Sequence, residues 1–588
     1  MRVFARALVA VAVTLTVGFP PQATGEVPTG PVVSGETGAK VDELLSRLAG
    51  FGYSGAVIVA KDGEVILSKG YGLADRKNNV AVTPQTVFTI GSITKQFTAA
   101  AILKLEMAGR LSVEDPISKY FDDAPADKAG ITIHHLLTHT AGFPDAIGRD
   151  FDVSSDRERF VELALQWPLL SVPGQRYRYS NVGYSLLGII IEKVTGTGYE
   201  QFLVENLFKP AGMNRTGYLL PEYRDDELAI GYQGDEPWGA VIRKPMLPDG
   251  PSWHLRANGG IHSTTLDMYR WYRALQGDTV LSPDAKRKMY TSHVPEGPGA
   301  DSFYGYGWAI FTTPRNTKLI AHNGGNGIFS ADFRQYVDDG LMLFHACNVA
   351  GLEIDGLSAW ITGTVFGRGP ELPPKVVAMA PAELSAHNGT YAIEGKPSIE
   401  VEAGAGALRF TPYSQEGLSA MSPGTPLAEL AARLANERTL DLFGFGGRPD
   451  RGEVSRERGG PAPSPTEDDE FSELWKELGQ RWGEVLGIAV LGSRPHGRRM
   501  IATAARLQFE HGMEYVQFLW LHKSLRRIEP LAGPPAFSFR PVSPNEFACM
   551  DLATGQIRRV TFDKDDSGKA VLSIQAHTGR VTATRSGS

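Results

Sequence analysis

The sequence is poor in cysteine and carries no strong charge bias. Its two cysteines, Cys347 and Cys549, lie far apart, which excludes a disulfide framework. His134, His135 and His139 lie close together but have no Cys or carboxylate partner at ligand spacing, so we expect neither a metal nor another cofactor. There are 59 Lys and Arg residues against 66 Asp and Glu, a net charge of −7, with no basic stripe, which argues against a nucleic-acid partner.

Long apolar runs are absent after the first residues. Arg2 and Arg6 precede an apolar run over residues 7–18, which is shorter than the roughly 20 residues needed to span a bilayer. Small residues at 23–25 follow it and are suited to signal peptidase cleavage. We therefore predict a signal peptide over residues 1–25 and an exported, periplasmic or secreted, protein with no membrane span after its removal. A retained membrane anchor is the alternative.

The pattern of the following residues predicts an α+β fold. Beta-prone runs occur near the start and again after residue 318, and the block between them is mostly helical. The predicted strands are 54–60, 64–71, 87–90, 318–322, 327–337 and 341–349. The order indicates an antiparallel sheet whose first and last strands come from opposite ends of one domain, residues 38–368, with flanking helices and a mainly helical subdomain.

The C-terminal third differs in character. Residues 369–381 are rich in proline and predict a linker. Alternation of apolar and polar residues then predicts a β-rich region over 382–588. Within it, residues 425–530 predict an α+β insertion, whose segment 448–469 is rich in Gly, Pro, Ser and charge and predicts a disordered loop. No motif in this region carries an assignable chemistry.

Ser92 and Lys95 form the first candidate catalytic pair. They lie three residues apart at the start of a predicted helix, 92–107, and so share one face. A lysine whose pKa is lowered by burial can take the proton of a serine nucleophile. The N–H groups at a helix start suit a developing oxyanion. The alternative is an ordinary helix start with Ser92 as a cap.

Tyr179-Ser180-Asn181 is the second candidate motif. It lies in a loop before a predicted helix. A phenol can relay a proton to a leaving group, and an asparagine amide can bind both a lysine amine and a substrate amide. A turn in which Asn181 caps the next helix is the alternative.

His322-Asn323-Gly324-Gly325 is the third motif, at the end of a predicted edge strand. A polar side chain there can meet a substrate carboxylate. The glycines allow close approach of a substrate, and an N–H can complete an oxyanion hole. A strand end with a simple glycine turn is the alternative.

In this order the three motifs resemble the Ser-x-x-Lys, Ser-Asp-Asn and Lys-Thr-Gly set of the penicillin-recognising, β-lactamase-like superfamily. The Tyr-x-Asn form is similar to the branch of class C β-lactamases, D-alanyl-D-alanine carboxypeptidases and esterases. Further similarity lies in residues 133–142, 173–188, 212–216 and 259–264.

The resemblance implies a β-lactamase-like catalytic domain that acts through an acyl-enzyme on an amide or ester. Ser92 would be the nucleophile and Lys95 would take its proton. Tyr179 would act as partner base and then as acid to the leaving group. Asn181 would orient Lys95 and the substrate amide, and the N–H groups of Ser92 and Gly325 would form the oxyanion hole. Gly324 would let the substrate approach closely.

His322 departs from the family pattern because it stands where a lysine is usual. Neutral imidazole is a weaker anchor for a carboxylate than ammonium is. Asn323 also replaces the usual threonine. The expected substrates are a D-amino-acid peptide, an ester or a β-lactam, and these departures argue against strong turnover of the β-lactam. Asp145 and Phe143 are further candidates for the cleft.

Two other functions stay open at this point. A penicillin-binding or sensor protein would acylate without efficient turnover, whereas the complete motif set argues against a scaffold that has lost its activity. The expected partner is a small-molecule or peptide substrate. The sequence does not fix the substrate or the oligomeric state.

Overall fold

The structure is a computed structural model that describes most of the chain and divides it into two compact units. The described residues of 1–39 and 54–350 form the first unit, and those of 40–53 and 351–588 form the second. The described residues are 27–352, 354–414, 417, 420–421, 435, 439, 454–455, 480–481, 483, 485–496, 500–521, 524–531, 536–552, 555–576 and 579–586. The predicted signal peptide, 1–25, lies outside them.

The first unit contains a long antiparallel sheet and three small two-stranded ones. Its strands are β1 (Val32–Val33), β2 (Gly55–Lys61), β3 (Glu64–Tyr71), β4 (Leu73–Asp75), β5 (Val80–Ala81), β6 (Phe88–Thr89), β7 (Gly231–Gln233), β8 (Glu236–Gly239), β9 (His262–Ser263), β10 (Val294–Pro295), β11 (Ser302–Tyr304), β12 (Ala309–Thr312), β13 (Lys318–Gly325), β14 (Ser330–Tyr336) and β15 (Leu341–Cys347). The long sheet has the order β1-β3-β2-β15-β14-β13-β12-β11-β10.

The helices before residue 300 lie in the first unit, except that residues 40–50 of the first helix group with the second unit. They are α1 (Gly35–Gly50), α2 (Thr94–Met107), α3 (Ile133–Leu137), α4 (Arg157–Gln166), α5 (Asn181–Thr195), α6 (Tyr199–Leu203), α7 (Lys209–Ala211), α8 (Arg256–Gly259), α9 (Thr265–Gln276) and α10 (Pro283–Met289). Short 3₁₀ turns occur at Gly91–Ile93, Ile117–Lys119, Asp225–Glu227 and Val241–Arg243, and a π turn at Val204–Phe208.

Pairing of β2 with β15 joins the two ends of the catalytic region in one sheet. The register runs from Gly55 opposite Cys347 to Lys61 opposite Leu341. Every residue of β15 is buried, as are all but the last of β2, which explains why both read as nearly continuous apolar runs. The predicted α+β fold, with first and last strands brought together, is confirmed.

Strand β13 is longer than predicted, since it continues through His322 to Gly325. Pairing with β14 holds this extension, from His322 opposite Phe333 to Gly325 opposite Ser330. Polar residues and glycines give no apolar pattern, so the prediction stopped at His322. Pairing with β12 ends at Ala321, which leaves the last four residues of β13 with an open edge on that side.

Helices α2, α5 and α8 form the buried centre of the helical part. Nearly all residues of α2 and α5 are buried, and the two helices contact each other and α8. A Cβ on Gly188 of α5 would lie 2.4 Å from the Cβ of Ala257, so the glycine permits the close approach of α5 and α8. The first turns of α2 and α5 meet beside α8, and this point becomes the candidate site.

The second unit is β-rich, as predicted. Its helices α11 (Ile354–Val365) and α12 (Pro381–Ser385) precede a closed barrel with an aromatic and aliphatic core. The barrel strands are β16 (Gly389–Ile393), β17 (Lys396–Ala403), β18 (Leu408–Pro412), β24 (Phe537–Pro541), β25 (Glu546–Met550), β26 (Ile557–Lys564), β27 (Ala570–Ala576) and β28 (Gly579–Arg585). Closure removes the exposed sheet edges that an open β-sheet would present.

A five-stranded sheet is inserted in the chain between β18 and β24. Its strands, in order, are β19 (Val454–Ser455), β20 (Val485–His496), β21 (Met500–Phe509), β22 (Met513–Leu521) and β23 (Ser524–Leu531). The predicted loop 448–469 lies outside the described residues except for β19, which pairs with β20. Among the described residues, no helix combines the length and apolar character needed to cross a membrane.

Candidate active site

Ser92 lies on a 3₁₀ turn that connects β6 to α2. The turn is tied to the segment after α8, because Ile90 N donates to Ile261 O at 3.1 Å. Gly91 has a φ of +51°, and a Cβ there would lie 2.5 Å from Gly325 N, so both conformation and space require glycine. The predicted helix start at Ser92 is therefore a tight turn, which presents the hydroxyl two residues before the α-helix begins.

Lys95 is completely buried, and its amine contacts groups from three helices. Nζ lies 3.0 Å from Ser92 Oγ, 2.7 Å from Asn181 Oδ1 and 2.9 Å from Asn258 O. Burial lowers the pKa of Lys95 from 10.5 to about 7, against an opposing effect of two nearby carboxylates. At neutral pH a large fraction of the amine is therefore unprotonated.

The contacts of Lys95 fix how a neutral amine is oriented. The Asn181 Oδ1 and Asn258 O atoms can only accept hydrogen bonds, so they take the two N–H groups of a neutral amine. The remaining lone pair then faces the hydroxyl of Ser92. This arrangement is that of a base poised over its nucleophile.

Tyr179 lies close to Ser92. Lys95 Nζ lies 4.8 Å from the centre of the Tyr179 ring. Burial is the main cause that raises the pKa of Tyr179 above its usual value of 10, although the nearby Ser92 hydroxyl lowers it in part. The resting phenol is thus protonated at neutral pH and is suited to donate a proton.

Asn181 is the first residue of α5, and Ser180 rather than Asn181 caps the helix. The Ser180 Oγ accepts from Gly183 N at 3.2 Å and donates to Pro144 O at 2.7 Å. The Asn181 side chain is left for the site, where Nδ2 donates to Asp145 Oδ1 at 2.9 Å. Its second amide hydrogen remains available in this arrangement to a substrate carbonyl.

His322 reaches the site, but its two ring nitrogens are both used within the protein. Nδ1 lies 2.6 Å from Asn323 O, and Nε2 lies 2.9 Å from the Tyr304 hydroxyl. Because a carbonyl only accepts, Nδ1 carries the proton and Nε2 accepts from the tyrosine. Burial and repulsion by Lys95 lower the pKa of His322 to about 3, so the ring is neutral. The resting geometry does not offer His322 as a carboxylate anchor.

Gly324 and Gly325 bring the end of β13 against the turn of Ser92. A Cβ on Gly324 would lie 2.2 Å from Ile90 O and 2.5 Å from Ser92 N. The backbone N of Ser92 therefore lies beside the glycine pair, as the predicted oxyanion hole requires. Any side chain at Gly324 would push the strand away from the nucleophile.

Nearby carboxylates shift the pKa values of Lys95 and Tyr179. Asp145 and Asp150 raise the pKa of Lys95, and Asp145 and Glu296 raise that of Tyr179. Glu296 also accepts from the Tyr177 hydroxyl at 3.2 Å. These carboxylates therefore give a negative potential at Lys95 and Tyr179. Phe143, a second candidate for its lining, is instead fully buried in the core.

Three functional residues escaped the sequence analysis: Asn258, His139 and Tyr304. Asn258 directly precedes the similar segment 259–264, but the sequence does not reveal that its backbone carbonyl, rather than its side chain, binds Lys95. Tyr304 carries no signal in the sequence, because its contact with His322 depends on the packing of β11 and β13 on either side of β12.

His139 lies inside the similar segment 133–142, where the sequence analysis considered it only as a metal ligand. It is buried, with a positive φ of 58°, and its Nδ1 accepts from Ser180 N at 3.0 Å. Its ring packs on that of Tyr179 with centroids 4.3 Å apart. His139 therefore positions the Tyr179-Ser180 segment. Among the described residues, no group of three or more His, Cys, Asp or Glu side chains could hold a metal.

Comparisons with known proteins agree with this geometry. A family model described as Beta-lactamase matches residues 46–352. The chain is 34% identical over 268 residues to PbpX of Bacillus subtilis (strain 168), covering 46% of this chain and 65% of that one. It is 30% identical over 315 residues to penicillin-binding protein 4* of the same strain, covering 50% and 68%. The match to PbpX thus spans less than two thirds of that relative.

A solved structure is similar over most of the chain. The octameric penicillin-binding protein homologue from Pyrococcus abyssi has a TM-score of 0.50 and 20% identity, covering 93% of this chain and 100% of that one. At this identity the likeness concerns the fold alone. The fold it supports includes the second unit as well as the first.

Proposed function

The chain belongs to the beta-lactamase family and is a serine hydrolase, and we propose that Ser92 acts by forming an acyl-enzyme with an amide or ester. The observation that carries this proposal is the amine of Lys95, buried 3.0 Å from the Ser92 hydroxyl with its pKa lowered to about 7. A base with a pKa near the working pH is the most effective one.

The acylation step uses four residues of the site. Ser92 Oγ attacks the acyl carbon while its proton passes to Lys95 Nζ. The carbonyl oxygen becomes an oxyanion, which the N–H groups of Ser92 and Gly325 would stabilise. Collapse of this intermediate breaks the bond to the leaving group, and Tyr179 donates the proton that the departing nitrogen or oxygen takes up. The proton that Lys95 Nζ took from Ser92 then restores the phenol of Tyr179, directly or through a water molecule.

Deacylation reverses these roles with water in place of the leaving group. A base of the site takes a proton from water, and the oxygen of this water attacks the carbonyl carbon of the ester on Ser92. The acid is released, and Ser92 Oγ regains a proton.

The open edge of β13 from His322 to Gly325 supports the binding of an extended substrate. On that side the backbone groups have no strand partner among the described residues.

We infer that the preferred acyl donors lack a carboxylate near the reacting bond. Both nitrogens of His322 are engaged, and the charges acting on Lys95 and Tyr179 come from Asp145, Asp150 and Glu296. A substrate carboxylate would meet repulsion there, whereas an ammonium would be attracted. Esters and amides of D-amino acids with a free amino group fit this field better than penicillins do.

The test is intact-mass spectrometry of the full chain after exposure to a fluorophosphonate, a p-nitrophenyl ester and benzylpenicillin. The fluorophosphonate should add one label, the ester should be hydrolysed with turnover, and penicillin should react slowly. Ser92→Ala should lose labelling and hydrolysis by about 10³-fold or more. Label that persists in Ser92→Ala would contradict the assignment of the nucleophile. A stable penicillin adduct without ester turnover would favour a penicillin-binding sensor.

We also propose that the protein is exported. The support is the basic, apolar and small-residue order of positions 1–25. Expression in a bacterial host followed by fractionation and N-terminal sequencing should give an extracytoplasmic protein that begins near residue 26. A full-length protein retained in the membrane fraction would favour an uncleaved anchor.

A further inference from the structure

A cavity separate from the site of Ser92 lies between the nine-stranded sheet and the helices α9 and α10. Its volume is about 290 Å³, and none of the catalytic residues line it. Tyr272, Leu275 and Ile320 form apolar parts of its wall and are all buried. The volume is near the lower end of the roughly 300–1,000 Å³ typical of small-molecule sites.

Three polar atoms on the wall of this cavity have no hydrogen-bond partner among the residues that the structure describes. They are the Tyr290 hydroxyl, Gln335 Nε2 and Gln276 Oε1. Tyr290 is 8% exposed and Gln335 is 4% exposed, so water from the bulk does not readily satisfy them. The Tyr290 hydroxyl and the Gln335 amide lie near each other, without the geometry of a hydrogen bond, and form one polar patch. An unsatisfied buried polar group costs about 1–3 kcal/mol.

Lys318 adds a cation to this polar patch. It is half-buried at the start of β13, and its Nζ donates to Tyr290 O at 3.3 Å. Within the described part of the chain, no carboxylate forms an ion pair with it. Burial lowers the pKa of Lys318, an effect that the more distant Asp338 partly opposes. The ammonium therefore loses solvation without gaining a close counter-ion.

The strand register places these groups on one face of the sheet. Ile320 pairs with Gln335, and Lys318 lies two residues before Ile320, so its side chain leaves the same face. Tyr290, at the end of α10, closes the space above them. Lys318, Gln335 and Tyr290, which carry an ammonium, an amide and a phenol, thus line the same cavity beside an apolar wall.

We propose that this cavity binds a small amphipathic carboxylate. The carboxylate accepts hydrogen bonds from Lys318 Nζ, Gln335 Nε2 and the Tyr290 hydroxyl, and the apolar body packs against Leu275 and Ile320. Charge-assisted bonds of this kind are the strong ones, and the ligand supplies the counter-ion that Lys318 lacks. The site is separate from Ser92 and does not depend on the proposed hydrolase mechanism.

The experiment is isothermal titration calorimetry of the full chain with phenylbutyrate and its neutral analogue phenylbutyramide. Phenylbutyrate should bind at one site, and the amide should bind about 10-fold more weakly or worse because it cannot pair with the ammonium. Prior labelling of Ser92 with a fluorophosphonate should leave phenylbutyrate binding unchanged. Loss of binding on labelling would place the ligand in the active site and overturn the proposal.

Two variants test the residues of the cavity. Lys318→Met should weaken phenylbutyrate binding about 10-fold or more, whereas Lys77→Met, an exposed lysine in a turn, should bind like the parent. Tyr290→Phe should also weaken binding while leaving the thermal unfolding of the ligand-free protein unchanged or slightly raised, because its hydroxyl has no partner. Unchanged binding in both cavity variants would overturn the proposal, as would a destabilised Tyr290→Phe that binds normally.

Discussion

At the scale of single residues, the chemistry depends on an amine that is buried among neutral groups. Lys95 is fully buried, and its three contacts are a hydroxyl, an amide oxygen and a backbone carbonyl. These contacts stabilise a neutral amine as well as a charged one, so desolvation dominates and lowers the pKa. The residue is thereby suited to take a proton near neutral pH.

The first prediction concerns pH. The rate of Ser92 acylation should rise about 10-fold per pH unit below the pKa of Lys95 and level off above about 7, because only the neutral amine can accept a proton. The measurement is kcat/KM for a p-nitrophenyl ester against pH. Lys95→Ala should lower the rate by roughly 10²–10⁴-fold and remove this inflection. An unchanged inflection in Lys95→Ala would assign it to another group.

The second prediction concerns the charge of the substrate. An anilide of a D-amino acid with a free ammonium should have a kcat/KM about 10-fold above that of its N-succinyl derivative, since one charge contact at a protein surface is worth a few kcal/mol at most. Asp150→Asn should lower the ratio of the two kcat/KM values, and added salt should lower it as well. Faster reaction of the succinyl derivative would show that a cation outside the described contacts receives the carboxylate.

At the scale of elements, the site depends on how β13 meets the turn between β6 and α2. Gly91 and Gly324 face each other across this junction, and neither has room for a Cβ. The junction brings the backbone of Gly324 and Gly325 against that of Gly91 and Ser92. The proposed oxyanion hole would thus combine two elements that are more than 200 residues apart in the sequence.

The third prediction tests that junction. Gly324→Ala would place a Cβ 2.2 Å from Ile90 O, so β13 must shift away from Ser92. Ester hydrolysis should fall by about 10²-fold or more, the loss typical of a disrupted oxyanion hole, while the protein remains folded by circular dichroism. Gly130→Ala, where a Cβ meets no atom within 4 Å, is the matched control. Equal activity of both variants would contradict the proposed role of the junction.

The sequence predicted the elements of this site better than their electrostatics. Ser92, Lys95, Tyr179 and Asn181 could be predicted because their motifs occur in the order of the family they resemble, whereas each motif alone left an ordinary helix start or turn open. The engagement of His322 by Tyr304 was not, because it depends on the packing of β11 and β13, which no periodicity encodes. The extension of β13 was missed for the related reason that glycines and polar residues are held there by cross-strand pairing with β14.

At the scale of the whole molecule, the chain does not divide at one point in the sequence. Residues 40–53, which include most of α1, group with the C-terminal unit and not with the unit that follows them. Arg47 Nη1 donates to Pro373 O at 2.8 Å, and a Cβ on Gly50 would lie 2.9 Å from the Val376 side chain. The prolines at 370–374 predicted a linker, but contacts of this kind cannot be inferred from composition.

The fourth prediction follows from these contacts. A chain that ends at residue 368 lacks the partners of Arg47 and Gly50, whereas a chain that ends at residue 381 keeps them. Hydrogen–deuterium exchange of residues 40–53 should be about 10-fold faster in the shorter chain, because a hydrogen bond from a charged group is worth about 1.5–3 kcal/mol. Arg47→Ala in the full chain should accelerate exchange in the same segment. Exchange of residues 94–107 is the internal control and should be the same in both truncated chains. Equal protection of residues 40–53 in the two chains would mean that residues 369–381 act as a linker with no part in holding α1.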